Sequence, residues 1–145
     1  MNMHTDAIRR MILASLLALQ GCASGPSAAS LYERLGGLPG ITAVVDKSVD
    51  RHAADPRTRR SFEGVNLKTL KASIVLQACE ATGGPCRYEG ESMARAHAGL
   101  AITAEEFDTA IGHIDDTLDE FKVSARDKEA FLQILRPLRA DIVGR

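Results

Sequence analysis

A chain of 145 residues with a formal net charge of -1 has room for one domain. Apolar residues at 45% and charged residues at 26% exclude disordered and collagen-like classes. With 18 Lys and Arg against 19 Asp and Glu there is no basic face for nucleic acid, and the absence of Trp makes the core mainly aliphatic.

The first segment reads as targeting, not fold. Arg9 and Arg10 precede the apolar run Met11 to Leu19, which is too short to span a bilayer. Leu19-Gln-Gly-Cys22 resembles the bacterial lipobox, in which cleavage before the cysteine leaves a lipid-modified N-terminus. The expected organisation is a signal peptide over 1–21, a linker lipidated at Cys22 over 22–29, and a domain over 30–145. An ordinary secretory signal cut near Ala23 or Ser24 is the alternative. Both readings export the chain; the first makes it a periplasmic or cell-surface lipoprotein, held to a membrane by acyl chains. Gly25 and Pro26 in a small-residue stretch suit a flexible tether.

Ser30 and Glu33 have capping-box spacing, so Leu31 to Leu35 should open as a short helix. Gly36-Gly37 stops it, and Pro39-Gly40 starts the next. Ile41, Val44, Val45 and Val49 recur at helical steps and predict a helix to Ala54, ended by Asp55-Pro56. Arg57, Arg59 and Arg60 read as a solvated corner leading to Phe62. Asn66 caps a helix with Leu67, Leu70, Ile74, Ala78 and Ala81 on one stripe. Thr82-Gly-Gly-Pro85 ends it, and a loop leads to a short helical segment around His97. Thr103 and Glu106 form a second capping box before a long helix with Phe107, Ile111, Ile114, Leu118 and Phe121 inward. Ser124 and Asp127 cap a last helix from about Arg126 to Ile142, which Pro137 should kink. Without β-hairpin signals, the fold class is all-α, with five or six helices.

If Cys22 carries lipid, Cys79 and Cys86 remain, flanking a turn. They form either a local bridge or two thiols, and export favours the bridge. The histidines do not make a zinc site, since three or four ligands at compatible spacing are missing. His52 lies among charged neighbours, and His113 beside Gly112. Serine-hydrolase, P-loop, HExxH and dinucleotide motifs are also missing. His97 alone makes small demands: one axial imidazole and an aliphatic pocket suffice for haem.

Five places in order carry a resemblance. They are Leu31-Tyr-Glu-Arg-Leu-Gly-Gly37; Phe62; Gly83-Gly84-Pro85 with Tyr88 and Gly90; Met93-Ala-Arg-Ala-His97; and Gly99 to Ile102 followed by Phe107 and Gly112-His113. From about Ser30 to Val143 the chain resembles the group I truncated haemoglobins, which are all-α globins with a two-over-two helical sandwich. The resemblance implies haem b, with His97 as the proximal iron ligand and its other ring nitrogen bonded to a backbone carbonyl near Met93. It implies a pocket lined by Val49, Phe62, Leu70, Ile74, Met93, Ile102 and Phe107. The expected function is binding a diatomic gas (O₂, NO or CO) for oxygen binding or transport, sensing, or NO-related redox chemistry with an unidentified reductase. Many members carry a distal tyrosine and glutamine; the matching positions here are Val49 and Ile74, and Gln77 lies one turn on. Two other expectations compete with gas binding. One is a haem-free globin-fold lipoprotein acting as an interaction module, which a missing Soret band would reveal. The other is a haem enzyme, which the aliphatic distal side disfavours because it offers no general acid or base.

Overall fold

The computed structural model describes residues 28–145. The expected signal peptide, Cys22 and the tether through Ser27 lie outside the described residues. All regular structure among the described residues is helical: α1 (Leu31–Arg34), α2 (Gly37–Ala54), α3 (Leu67–Ala81), α4 (Met93–Ala96), α5 (Ala104–Glu120), α6 (Ala125–Leu135) and α7 (Arg139–Ile142), with 3-10 turns at Arg59–Phe62 and Arg136–Leu138.

Local chemistry sets most of these bounds. Ser30 Oγ accepts from Glu33 N–H while the Glu33 carboxylate accepts from Ser30 N–H. Asn66, Thr103 and Ser124 cap α3, α5 and α6 in the same way, each accepting from the third backbone N–H of its helix. Pro137 lacks an N–H and divides the expected last helix into α6, a 3-10 turn and α7.

Two expectations need correction. The second helix starts at Gly37, ahead of Pro39, because a proline in the first turn forfeits no helical hydrogen bond. Gly36 makes this possible at φ +90°, and Gly40 lies so close to the Leu35 carbonyl that a Cβ there would collide with it. Phe121 is 46% exposed rather than inward. The helix stops at Glu120, the stripe loses its phase, and Val123 packs on the core instead.

α2 packs on α3 and on α5, α5 packs on α6, and α1 leans on α6. The pairs α2–α3 and α5–α6 form the two-over-two sandwich. Ile41, Val44, Val45 and Val49 fill its centre with Ala78, Leu118, Phe131 and Leu132. Burying each large aliphatic side chain is worth roughly 1.5–3 kcal/mol. Cys79 and Cys86 form a disulfide that fastens the end of α3 to the following loop. Tyr32 N–H donates to the Thr82 carbonyl at 2.9 Å, so α1 closes over the same corner. Gly84 must be glycine there: a Cβ would stand 2.6 Å from Tyr32 Cδ2 and 2.7 Å from Cys79 Sγ.

His52, expected among charged neighbours, is instead buried against α5. Its Nδ1 lies 2.8 Å from His113 Nδ1, and His113 Nε2 lies 3.0 Å from Asp55 Oδ2. Hydrogen bonds from Arg57 hold the Asp55 carboxyl well below the usual carboxylate range, so Asp55 accepts. His113 Nε2–H then donates to Asp55, and His52 Nδ1–H donates to His113 Nδ1. Burial, with help from His113 and against Asp55, lowers the His52 pKa from 6.5 to about 4.

The unfolded chain therefore takes up a proton on His52 that the folded chain refuses. This contribution to stability is complete above pH 6.5, is lost as pH falls towards about 4, and is flat below that. The loss amounts to roughly 3 kcal/mol. Urea midpoints measured across this window should fall more steeply for the wild type than for His52→Leu; parallel curves would refute the assignment. Replacing Cys79 and Cys86 with serine should cost about 2 kcal/mol of stability, the scale for so short a loop. Denaturant melts of the double variant and of the reduced wild type should agree.

Candidate functional site

α4 is a single turn, capped at its start by the Ser92 side chain, and His97 is the C-cap residue that follows it. The His97 Nδ1 lies 2.8 Å from the Met93 carbonyl oxygen. A carbonyl can only accept, so Nδ1 carries the proton and Nε2 carries the lone pair. Among the described residues Nε2 has no hydrogen-bond partner, and the ring is only half-buried. This is the tautomer an iron ligand requires, with its orientation fixed by a backbone bond.

The residues expected to line a haem fall into two walls. Val49 lies in the central core with Phe62, Leu70 and Ile74 packed against it. Ile102 and Phe107 form a second cluster with Ile142, with Met93 packed against it. Ile111 touches both clusters. His97 follows Met93 on the second side. An imidazole with an unpartnered Nε2 next to the second of these apolar clusters suits an apolar cofactor that carries iron, such as haem. Two surface grooves also occur, one along α5 at His113 and one between α2 and α3 at Leu38 and Leu76. None of the residues expected to line a haem lies in either.

The first wall offers little to a polar ligand. Val49 and Ile74 have no donor. Gln77, on the same stripe of α3 as Leu70 and Ile74, directs its Nε2 to Met93 Sδ at 3.5 Å and so ties α3 to α4. Ser48, next to Val49, is buried with an unpartnered hydroxyl.

The basic run after α2 is exposed, as a solvated corner should be, but two of its three arginines also make ion pairs. Arg57 pairs with Asp55 at 2.6 Å. Arg60 reaches across to the loop after His97, donating to the Leu100 and Ala101 carbonyls and to Glu106. These partners lie 40 to 46 residues away along the chain, where no local pattern announces them. The burial of His52 was missed for the same reason, since His113 is 61 residues on.

The family model for bacterial-like globins matches residues 30–143. The group 1 truncated haemoglobin GlbN of Mycolicibacterium paratuberculosis is 33% identical over 114 residues, covering 79% of this chain and 84% of the relative. GlbN of a Nostoc species is 29% identical, covering 80% of this chain and 98% of its own. Among solved structures, the Fe(III) truncated haemoglobin of Tetrahymena pyriformis superposes with a TM-score of 0.77 at 26% identity, over 81% of this chain and all of that one. The 2/2 haemoglobin of a Synechococcus species, solved in the cyanomet state with covalently attached haem, gives 0.75 at 30% identity over the same shares. The chain belongs to the bacterial-like globins and, among them, to the group 1 truncated haemoglobins, a family that binds diatomic gases with haem iron as its cofactor.

Proposed function

We propose that this globin holds haem iron through His97 Nε2 and takes a diatomic gas on an aliphatic distal side, outside the cytoplasm. The observation that carries the reading is the His97 tautomer: Nδ1 is committed to the Met93 carbonyl, and Nε2 is left with its lone pair. Haem held by His97 would supply an iron able to bind the gas. Val49, Phe62, Leu70 and Ile74 exclude water from that side; Met93, Ile102 and Phe107 support the imidazole side.

The distal side sets the preference among gases. Bound O₂ carries partial negative charge and gains from a donor, whereas CO and NO depend less on one. With Val49 and Ile74 where relatives place donors, the chain should retain O₂ weakly. Gln77 is occupied with Met93. This favours CO or NO binding, or sensing, over oxygen storage. A redox role on nitric oxide would require an electron donor from outside the chain.

Export is supported by the apolar run Met11 to Leu19, the lipobox-like Leu19-Gln-Gly-Cys22, and the Cys79–Cys86 disulfide, which suits an oxidising compartment. On this reading Cys22 carries the lipid that keeps the domain at a membrane.

The first test is the absorption spectrum of the full chain with haem, beside His97→Ala. The wild type should show a Soret band that sharpens with CO in the ferrous state; the variant should lose or rearrange it. A wild type that takes up no haem would refute the reading and leave the haem-free interaction module. For the distal side, Ile74→Gln should slow O₂ release by roughly tenfold, the worth of one hydrogen bond in a dry pocket. CO release should change far less. Equal effects on the two gases in stopped-flow displacement would show that position 74 does not face the ligand.

A further inference from the structure

Arg60 stands on the 3-10 turn between α2 and α3, two residues before Phe62, which the haem reading puts on the distal side. Its Nη1 donates to the Leu100 carbonyl at 3.0 Å. Its Nη2 donates to the Ala101 carbonyl at 3.1 Å and to Glu106 Oε2 at 2.5 Å. Two of these acceptors, the Leu100 and Ala101 carbonyls, lie in the segment just after His97, and the third is in the first turn of α5.

That segment, residues 98–103, has no helix of its own to define it. It passes through two left-handed residues, Gly99 at φ +80° and Ala101 at φ +46°. An alanine keeps that conformation only where its surroundings impose it. The surroundings are the Arg60 guanidinium and the chain around Gly144. Ala101 N–H donates to the Arg145 carbonyl at 2.7 Å, and Gly144 N–H donates to the Ile102 carbonyl at 2.9 Å. Leu100 N–H donates back to the His97 carbonyl at 3.2 Å, so the restraint reaches the histidine itself.

Glu106 is the other half of the contact. It is 8% exposed and also accepts from Thr103 N–H at 2.8 Å, where it helps to cap α5. The Arg60 hydrogen bond holds its carboxyl below the usual range. A carboxylate this buried needs a cation, and a guanidinium can serve it and two carbonyls from one planar fork; an ammonium cannot span all three.

We propose that Arg60 is a positioning residue for the His97 imidazole, acting from the opposite side of the pocket through the Leu100–Ala101 carbonyls and Glu106. The proposal rests on the haem reading above and goes beyond it. Neither the ligand nor the walls of the pocket require this contact. Arg60 sets how firmly, and at what tilt, the imidazole meets the iron, and it links the distal corner to the proximal loop.

The test uses the full chain with haem bound, as wild type, Arg60→Met and Arg60→Lys. Three quantities are measured: the iron–histidine stretching band of the ferrous form by resonance Raman, the rate of haem loss to an excess of an apo-globin acceptor, and the thermal melt. Arg60→Met should shift the band and speed haem loss about tenfold, the equivalent of one charge-assisted hydrogen bond. Arg60→Lys keeps the Glu106 pair, gives up the carbonyls, and should fall between the two. It also decides the matter if Arg60→Met fails to fold. A band at the wild-type position in both variants, whatever the melt does, overturns the proposal and leaves haem binding by His97 intact. A wild type without haem removes both.

Discussion

The packing of α2 against α3 on one side and α5 on the other is the contact on which the rest depends. Ile41, Val44, Val45 and Val49 form one buried stripe on α2. That stripe places Val49 beside Phe62, Leu70 and Ile74 in the core, and His52, one turn on, against His113 of α5. It also fixes where the corner after Asp55 begins, and so where Phe62 and Arg60 stand. A short helical chain has few long elements with which to enclose a large flat cofactor. It uses one well-packed helix as the reference and hangs irregular segments from it. His97, the proposed iron ligand, caps the end of such a segment, a single helical turn between two loops.

What could be read from the sequence was what local chemistry encodes. The Ser30–Glu33 and Thr103–Glu106 boxes, the Asn66 and Ser124 caps and the break at Pro137 each involve residues a few positions apart, so their spacing states the structure. The start at Gly37 and the outward Phe121 were misread because a helix end depends on turn geometry, which periodicity does not report. The roles of Arg60 and His52 were hidden because their partners lie far along the chain. An exposed-looking arginine or histidine acquires its meaning only when the fold delivers Leu100, Glu106 or His113. The proposed site is read in a different way. A single axial ligand has no spacing of its own, so His97 is singled out as the candidate only by the order of glycine pairs, aromatics and apolar positions around it.

The two sides of the proposed pocket differ in kind. The side with Val49 and Ile74 is aliphatic and belongs to the main core, so its shape is set by packing that the whole molecule shares. The side with His97 has a small cluster of Ile102, Phe107 and Ile142, with a loop held by polar bonds. Changes to Val49 or Ile74 therefore bear directly on core stability, and changes to the loop after His97 bear on it less. Ion pairs join helices, as in Arg51–Glu120 and Lys71–Asp50, and also stand at the loops, where the Arg57–Asp55 and Arg60–Glu106 pairs lie close to the ends of regular structure.

α3 is fastened differently at its two ends. At its C-terminal end the Cys79–Cys86 bridge is covalent. Beyond its N-terminal end, Arg60 is joined to the loop after His97 and to Glu106 by ionic and hydrogen bonds. One margin is sewn and the other is buttoned. Ionic strength screens a guanidinium–carboxylate pair and leaves a sulfur–sulfur bond untouched, so salt loosens the buttoned margin while the sewn one stays closed.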